Sequence, residues 1–382
     1  MAKGLYIGVD GKARKVKKIY TGINGKARKV KKGYIGIDGK ARLFFSGEKK
    51  LSYYGTATAL TTARAYLAAA SIGDYAIFYG GAYGSSSIKP NLDIYNSSLV
   101  KVTNISSSGI VSELAAASNS GYAMFGGGKD CDERSQDGIK AYDKDLTRNN
   151  LSLMSHSNGA RHALAATTVN DYVLFGGGMK ADPLNLVNAV DIDLTVRFLR
   201  MDKTRYNLAA TTIGDHALFA GGRSSNISAI NYFKVAYVEA FDTDLTRTTA
   251  TALSNEKDKL AATTIGNYAL FAGGDDGLTK TTVDAYDTNL TKFSPTALSQ
   301  GRYQFAATTV GDYALFGGGY SGKNSYSTEV YDTNLVKSTT TALNVGRTNL
   351  AATTVGDYAL FGGGYNDNYS GVVDVYQLSE LN

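Results

Sequence analysis

Six cationic side chains recur at one position of a repeated pattern. Each stands three residues before a Leu-Ala-Ala or Phe-Ala-Ala triplet, and the second unit has Val111 in that place. Arginine binds carboxylate and phosphate groups through two parallel hydrogen bonds, so a ring of such residues predicts a site for an anionic ligand. The alternative is structural: each cation bonds neighbouring backbone carbonyls or an acidic partner in the next unit. The six residues are Arg64, Arg161, Arg205, Lys257, Arg302 and Arg347.

The segments that differ most between the repeated units are a second candidate for recognition. They follow a strand that ends in glycines and contain Tyr, Asn, Asp and Arg, residue types that suit binding of a sugar or a protein. A scaffold that repeats everywhere except in one set of loops predicts that those loops bind a ligand; the alternative is drift in unconstrained loops. The residues expected to contact the ligand are Tyr83, Arg134, Arg223, Asp275, Tyr320, Tyr326, Tyr365, Asn366 and Tyr369.

Residues that bind metals are sparse in the chain. There is one cysteine, Cys131, which argues against a disulfide framework and a multi-Cys zinc site. The three histidines, His156, His162 and His216, show no shared spacing. We therefore expect no metal site and no cofactor.

Candidate catalytic residues are limited to acidic side chains in loops. A glycosidase needs two carboxylates at a defined distance, but Asp and Glu in surface loops are more often only solvated. The glycine runs end strands and no helix follows them, so they offer no phosphate cradle. We therefore expect a protein without catalytic activity. The loop carboxylates are Asp130, Asp132, Glu133, Asp275 and Asp276.

The elements that must position these residues come from a long internal repeat. An apolar strand ending in glycines occurs seven times, and its phenylalanines are 44 to 52 residues apart, the spacing of propeller blades. Each unit predicts four strands: a small-residue strand such as 350–355, the glycine-ended strand, a third strand ending in Tyr-Asp, and an outer strand after a DTNLT-type turn. The fold class predicted is all-β, a seven-bladed β-propeller over residues 51–382. The seven glycine-ended strands are 74–81, 121–128, 171–178, 215–222, 267–274, 312–319 and 357–364.

The two ends of the repeat are complementary. The seventh unit stops after 372–382 without an outer strand, and 51–64 reads as an outer strand without a blade. We predict that 51–63 completes the last blade, which leaves no open sheet edge. In such blades the 2–3 loops and the 4–1 connections share one face, so the six cations and the variable loops are expected to lie together, with the cations at the mouth of the axis.

The glycine pair after an apolar strand and the Tyr-Asp 15 or more residues later resemble the kelch-repeat β-propeller family. This resemblance covers about residues 51–382 and implies the same blade architecture. Kelch units usually carry a Trp after the Tyr-Asp turn, and here Leu stands in its place and can fill the same slot between blades. Galactose oxidase has kelch-type blades, but the two His, two Tyr and one Cys of its copper site find no counterpart in this pattern. The leucines are Leu146, Leu194, Leu245, Leu290 and Leu335.

Residues 1–50 form a module of a different character. They hold 15 Lys and Arg against 3 Asp and Glu, a net charge of +12, whereas residues 51–382 carry 25 against 31, or −6. Tyr6, Tyr20 and Tyr34 recur every 14 residues, and each unit holds Asp-Gly or Asn-Gly between two β-rich runs, which predicts three short hairpins or a meander. The basic side chains either bind a polyanion or protect exposed strands. Those expected to serve attachment are Lys15, Lys17, Lys18, Lys29, Lys31 and Lys32.

These short basic repeats resemble those of tail-associated and adhesin-like proteins of phages and prophages of Gram-positive bacteria. The resemblance covers residues 1–46. It implies a receptor-binding protein of the virion tail, of a kind that is often oligomeric, which attaches through the first module and whose propeller meets a cell-surface glycan or protein receptor. The first residues show no signal-peptide core, and no apolar run is long enough to span a membrane, so we expect cytoplasmic synthesis, no membrane partner and no nucleic-acid partner. The alternative is a cytoplasmic kelch-type scaffold that binds another protein.

Overall fold

The computed structural model describes residues 49–83, 92–102, 111–152, 159–226 and 229–380, together with the backbone of six strands before residue 49. These residues form strands, turns and loops. Within those ranges no helix is long and apolar enough to cross a lipid bilayer. The chain divides into two compact units, Met1–Ser52 with Gln377–Asn382, and Tyr53–Tyr376.

The first unit contains three separate two-stranded antiparallel sheets. Two residues lie between the last residue of one strand and the first of its partner, as in Val9 paired with Lys12. This register is what Asp-Gly and Asn-Gly favour, because both residues readily adopt positive φ. The sequence offered hairpins or a meander, and hairpins are what form; the turn residues lie outside the described residues. The strands are β1 (Tyr6–Val9), β2 (Lys12–Lys15), β3 (Ile19–Ile23), β4 (Lys26–Val30), β5 (Lys32–Ile37) and β6 (Lys40–Ser46).

The second unit is a β-propeller of seven four-stranded antiparallel sheets, as predicted. The strand that comes first in the chain, β7 (Lys49–Ala57), belongs to the last blade. Blade 1 consists of β8 (Ala68–Ile72), β9 (Tyr75–Tyr79), β10 (Leu92–Asn96) and β11 (Lys101–Val102). Blade 2 consists of β12 (Ala115–Ser118), β13 (Ala123–Gly126), β14 (Gly138–Tyr142) and β15 (Arg148–Ser152). Blade 3 consists of β16 (Ala165–Val169), β17 (Tyr172–Gly176), β18 (Leu186–Val190) and β19 (Val196–Arg200).

The remaining blades follow the same order, with an extra hairpin in two of them. Blade 4 consists of β20 (Ala209–Ile213), β21 (His216–Ala220), β24 (Val238–Phe241) and β25 (Arg247–Ala250), and carries the hairpin β22 (Arg223–Asn226) and β23 (Ala229–Lys234). Blade 5 consists of β26 (Ala261–Ile265), β27 (Tyr268–Ala272), β28 (Val283–Tyr286) and β29 (Lys292–Phe293). Blade 6 consists of β30 (Ala306–Val310), β31 (Tyr313–Gly317), β32 (Thr328–Asp332) and β33 (Lys337–Thr339). Blade 7 consists of β34 (Ala351–Val355), β35 (Tyr358–Gly362), β38 (Val373–Glu380) and β7, with the hairpin β36 (Tyr365–Asn366) and β37 (Asn368–Tyr369).

The ring closes where the sequence predicts it. Each inner strand contacts the inner strand of the next blade, and β34 contacts β8. The strand order of the seventh sheet is β34, β35, β38 and β7, so a segment from the start of the repeat supplies the outer strand of the last blade. Tyr53 Oη donates to Asp374 Oδ1 at 2.7 Å across this junction. Pairing the two ends leaves the last blade with the same four strands as the others.

Small residues on the inner strands explain how seven blades fit around one axis. Inner strands such as β30 alternate between buried and half-buried positions, with Ala and Thr in sequence. The second strands are buried on both sides, and their Phe and Leu side chains fill the space between neighbouring sheets. The leucine after the Tyr-Asp turn joins these clusters, as Leu146 and Leu245 do, so it occupies the slot between blades predicted for it.

The glycine pair that ends the second strand holds adjacent blades together. Gly127 and Gly128 have φ of +70° and +104°, a region that L side chains rarely adopt. A Cβ on Gly127 would lie 2.6 Å from the carbonyl oxygen of Arg161, and the amide of Gly128 donates to that same oxygen at 2.8 Å. The contact recurs at all seven blade junctions. Positive φ and the close approach of backbone from the next blade are therefore the two reasons for glycine at these positions.

Candidate binding face

The two faces of the propeller are built differently. We call the side that carries the 2–3 loops and the 4–1 connections the loop face, and the side that carries the 1–2 and 3–4 turns the turn face. On the turn face, Asp332 Oδ1 accepts from the amides of Asn334 at 2.8 Å and Val336 at 2.9 Å, and Leu335 has a φ of +61°. The same turn recurs in five other blades, so the turn face carries the same hydrogen-bonded turn in blade after blade.

The six recurring cations lie on the loop-face side but do not line an opening. All six side chains are completely buried, and we call them the cation layer. Arg302 is typical, because its guanidinium donates to the carbonyl oxygens of Phe316 and Ser327 and to Glu329 Oε1 at 3.1 Å. The prediction of a cationic ring at the mouth of the axis is therefore wrong. The Arg302 guanidinium is enclosed by the protein and bonds carbonyl oxygens and a carboxylate through its terminal nitrogens, so it is not presented to a ligand at the surface.

The partner of each buried cation is a polar side chain on the third strand of the blade that follows it. Five of these partners are the acidic residues that the sequence allowed as an alternative, and the sixth is an amide. Their acceptor atoms lie within ordinary ion-pair or hydrogen-bond distance. The pairs are Arg64–Asp93 at 2.5 Å, Arg205–Glu239 at 2.6 Å, Lys257–Asp284 at 3.1 Å, Arg302–Glu329 at 3.1 Å and Arg347–Asp374 at 2.7 Å, and Arg161 donates to Asn188 Oδ1 at 2.6 Å.

Several of these acids contact a second cation from the outer strand. Lys101 Nζ lies 2.6 Å from Asp93, and Lys292 Nζ lies 3.0 Å from Asp284. Burial alone would raise the pKa of Asp93, but Arg64, Lys101 and hydrogen bonds from Thr61 hold that pKa below its usual value. The carboxylate therefore stays ionised inside the protein. A buried pair of this kind destabilises the fold strongly when one partner is removed, because the other charge is left without compensation.

A closed ring of backbone hydrogen bonds surrounds the axis two residues after the cation layer. In each 4–1 connection one residue adopts left-handed φ, between 52° and 60°, and its amide donates to the carbonyl of the equivalent residue in the preceding blade at 2.9 to 3.1 Å. The last of these bonds joins Tyr66 to Asn349 at 3.0 Å and closes the circle. We call this the axial ring; its members are Tyr66, Glu113, Ala163, Asn207, Lys259, Gln304 and Asn349.

The axial ring lines a cavity of about 420 Å³ on the loop face. Its backbone geometry is the same in every blade, yet its side chains are aromatic, acidic, basic, amide and aliphatic. Beneath them a layer of Leu and Phe residues, such as Leu208 and Phe305, forms the floor. Sequence reasoning missed these residues. The signal was present, because two positions between the recurring cation and the following Leu or Phe change in almost every unit, and the ring residue is the second of them.

Two clusters of predicted loop residues flank the axial ring. On one side Tyr365 and Tyr369 pack edge to face at 5.4 Å near Tyr66 of the ring, and burial, Glu113 and these two tyrosines raise the pKa of Tyr66. Asn366 Oδ1 accepts from Asn324 Nδ2 at 3.0 Å, which links blades 6 and 7. The structure therefore brings three of the predicted residues together beside the cavity.

The second cluster combines aromatic rings with opposite charges. Tyr320 packs against Tyr303 at 5.5 Å, and Lys259 of the axial ring lies over the Tyr303 ring. Asp275 accepts from Lys234 at 2.7 Å. Tyr320 and Asp275 were both predicted, so this side of the loop face also gathers predicted residues.

Arg223, another predicted residue, anchors the hairpin β22–β23. Its Nε lies 3.2 Å from Asp258 Oδ2. Asp258 is fully buried, and neither of its carboxylate oxygens has a hydrogen-bond partner in the described part of the chain. Burial raises the pKa of Asp258, and Arg223 and Lys234 offset only part of that effect. The hairpin is thus held to blade 5 by charge.

The other predicted loop residues lie apart from the cavity. Tyr326 is half exposed and lies against Gly346, Arg134 is largely exposed and pairs with Asp132 at 3.1 Å, and Tyr83 is half-buried. Of the attachment lysines, Lys15, Lys29 and Lys32 lie on the described strands β2, β4 and β5. Lys17, Lys18 and Lys31 lie outside the described residues.

The acidic residues considered for catalysis have structural contacts. Asp130 Oδ1 accepts from the amides of Asp132 and Arg134, both at 2.9 Å, and Asp276 pairs with Lys280. No group of three or more His, Cys, Asp and Glu side chains that could hold a metal ion occurs among the described residues.

Exposed aromatic side chains concentrate on the loop face. The turn face, as far as it is described, exposes aliphatic residues such as Val100 and Val336 but no aromatic ring. Three exposed rings, Tyr54, Phe198 and Phe293, lie on outer strands. An amphipathic ring exposed beside polar groups is a common feature of binding sites. The exposed rings of the loop face are Tyr66, Tyr232, Phe233, Tyr237, Tyr320, Tyr326 and Tyr365.

Comparison with known proteins supports the fold alone. No protein-family model matches the sequence, and no curated protein matches it either. Among solved structures, that of YjhT superposes with a TM-score of 0.54 at 15% sequence identity, covering 71% of this chain and 97% of that one. Membership of the kelch family therefore stays a prediction. What the likeness carries is the architecture: the chain contains a seven-bladed β-propeller similar to that of YjhT.

Proposed function

We propose that this protein is a non-catalytic binding protein whose ligand contacts the loop face at the axial ring. One observation supports this most: a backbone ring that is the same in all seven blades presents side chains of different chemistry over a cavity of about 420 Å³. Side chains that only stabilised the ring would have no reason to differ. Their diversity matches a surface that recognises one asymmetric ligand.

The chemistry of the loop face favours a glycan. Tyr66 lines the cavity, and Tyr365 and Tyr369, whose rings pack against each other, lie near it. Asn207, Gln304 and Asn349 add amides that donate and accept hydrogen bonds, as sugar hydroxyls require. A tyrosine ring offers an apolar face with a polar tip, so it can pack on a sugar ring and bond a hydroxyl.

The finer proposal is a receptor-binding role in the tail of a phage or prophage. Its support is the resemblance of the basic repeats in residues 1–46 and the charge of +12 on residues 1–50. In that role the first module attaches to other tail proteins and the propeller binds a receptor on the host surface. Several copies on one virion would raise the overall affinity of weak individual sites.

The test is binding of the full-length protein to a glycan array and to whole Gram-positive cells. Tyr365→Ser removes an exposed ring from the loop face, and Phe198→Ser removes an exposed ring from an outer strand as the matched control. We expect Tyr365→Ser to weaken binding and Phe198→Ser to leave it unchanged. Equal loss in both variants, or no binding of the wild type to either target, would contradict the proposal.

The alternative of a cytoplasmic protein scaffold predicts a different result in the same experiment. A scaffold would capture a protein partner in a pull-down and show no signal on glycans or cells. Because exposed aromatic rings also suit protein interfaces, the array result is what separates the two functions.

A further inference from the structure

Blade 2 departs from the cation layer at both of its positions. In the other blades the residue paired with the second-strand phenylalanine is acidic or an amide, as Glu239 is opposite Phe219 and Glu329 is opposite Phe316. In blade 2 the residue opposite Phe125 is Lys140. The 4–1 connection carries Val111 where the buried cation stands elsewhere. The blade has therefore exchanged a buried pair of opposite charges for a valine and a lysine.

Lys140 has no carboxylate partner among the described residues. The charged group that acts on it is Arg148, which is a second cation. Burial and Arg148 together lower the pKa of Lys140. The loop segments 84–91, 103–110 and 153–158 contain no Asp or Glu in their sequence, so they cannot supply a side-chain anion either. Among the described residues and these three loops, this half-buried cation thus has no carboxylate to pair with, whereas the buried cations Arg64, Arg205, Lys257, Arg302 and Arg347 each have one.

A cavity of about 260 Å³ lies beside Lys140. Val111, Phe125 and Tyr79 supply apolar walls, and the two rings lie 5.3 Å apart. Asp130 also lines the cavity, but its oxygens accept from two backbone amides and from Gln136 Nε2 at 2.9 Å. The cavity shares none of its lining residues with the cavity at the axial ring.

We propose that this cavity binds a small organic carboxylate with an apolar body. The carboxylate would lie against Lys140, reproducing with a ligand the ion pair that five other blades make within the chain. The apolar body would pack against Val111, Phe125 and Tyr79. A partly buried cation without a counter-charge is less favourable than a paired one, so a ligand that supplies the anion gains an interaction that the described residues do not make.

The test uses benzoate and its neutral analogue benzyl alcohol with the full-length protein, by calorimetry and ligand-observed NMR. We expect benzoate to bind with a dissociation constant of about 1 mM or tighter. Lys140→Met should weaken it about tenfold, while Lys144→Met, at an exposed position on the turn face, makes the same charge change and should have no effect. Benzyl alcohol should bind more weakly than benzoate to the wild type.

A second variant keeps the test decisive if Lys140→Met folds poorly. The double substitution Val111→Arg with Lys140→Glu rebuilds the pair seen in blade 6 and fills the cavity. We expect this variant to fold, to unfold at a higher urea concentration than Lys140→Met, and to lose benzoate binding. No benzoate binding to the wild type, or equal binding to the wild type and the double variant, would overturn the proposal; neither result bears on glycan binding at the axial ring.

Discussion

The cation layer and the axial ring lie two residues apart in the same connections, yet they have opposite characters. Lys257 is fully buried against Asp284, whereas Lys259 lines the cavity at the axis. The first position is nearly constant between blades and the second differs in almost every blade. In an internally repeated protein, residues that stay the same between blades therefore stabilise the scaffold. Residues that differ between blades on an unchanged backbone are free to bind a ligand.

The largest effect is expected when one member of the cation layer is removed. Arg302→Met leaves Glu329 buried without its inner partner, and we expect it to lower the free energy of unfolding by about 3–5 kcal/mol. Lys337→Met is the control, because Lys337 is the partly exposed outer partner of the same Glu329, and its removal should cost only about 0–1 kcal/mol. Urea denaturation measures both. Equal, small losses of unfolding free energy in the two variants would mean that Arg302 does not stabilise the interior and is again a candidate for contacting a ligand.

A second test uses His162, which stands between Arg161 of the layer and Ala163 of the ring. Burial and Lys129 lower the pKa of His162 to about 4. Between about pH 6.5 and 4 the unfolded chain binds a proton that the folded protein does not, so stability falls as pH falls through this window. We expect a loss of about 1–2 kcal/mol, less than the full shift implies because solvent screens part of it.

The comparison variant for this pH effect is His162→Gln, which cannot take up a proton. Thermal denaturation from pH 7 to 4 should show a smaller loss of stability for the variant than for the wild type. Parallel curves for the two proteins would mean that His162 is not responsible.

A third test changes the axial ring without disturbing its backbone. Asn already occupies the ring at Asn207 and Asn349 with left-handed φ, so Tyr66→Asn should keep the fold and leave the unfolding midpoint unchanged. Loss of the aromatic ring should weaken binding to the glycan or cells by roughly fivefold, or about 1 kcal/mol. A destabilised protein with unchanged binding would reverse the roles we assign to the ring and the layer.

The smallest effect is expected on the turn face, far from both positions. Asp332→Ala removes the two hydrogen bonds to the amides of Asn334 and Val336 and should cost about 0.5–1.5 kcal/mol. Binding measured as for Tyr66→Asn should be unaffected. A change in binding would show that the turn face takes part in recognition.

The chain itself determined most of the architecture. Seven glycine-ended strands at near-equal spacing implied seven blades, and complementary ends implied a shared last blade, because both follow from covalent order and from the need to pair every sheet edge. Only the tertiary structure decided which residues are buried and which line the cavity at the axis. Arg64 meets Asp93 from 29 residues away in the interior, while the left-handed φ of Tyr66 turns the next part of the same connection toward the axis. Burial depends on such distant partners and on the local path of the backbone, and residue type and spacing specify neither.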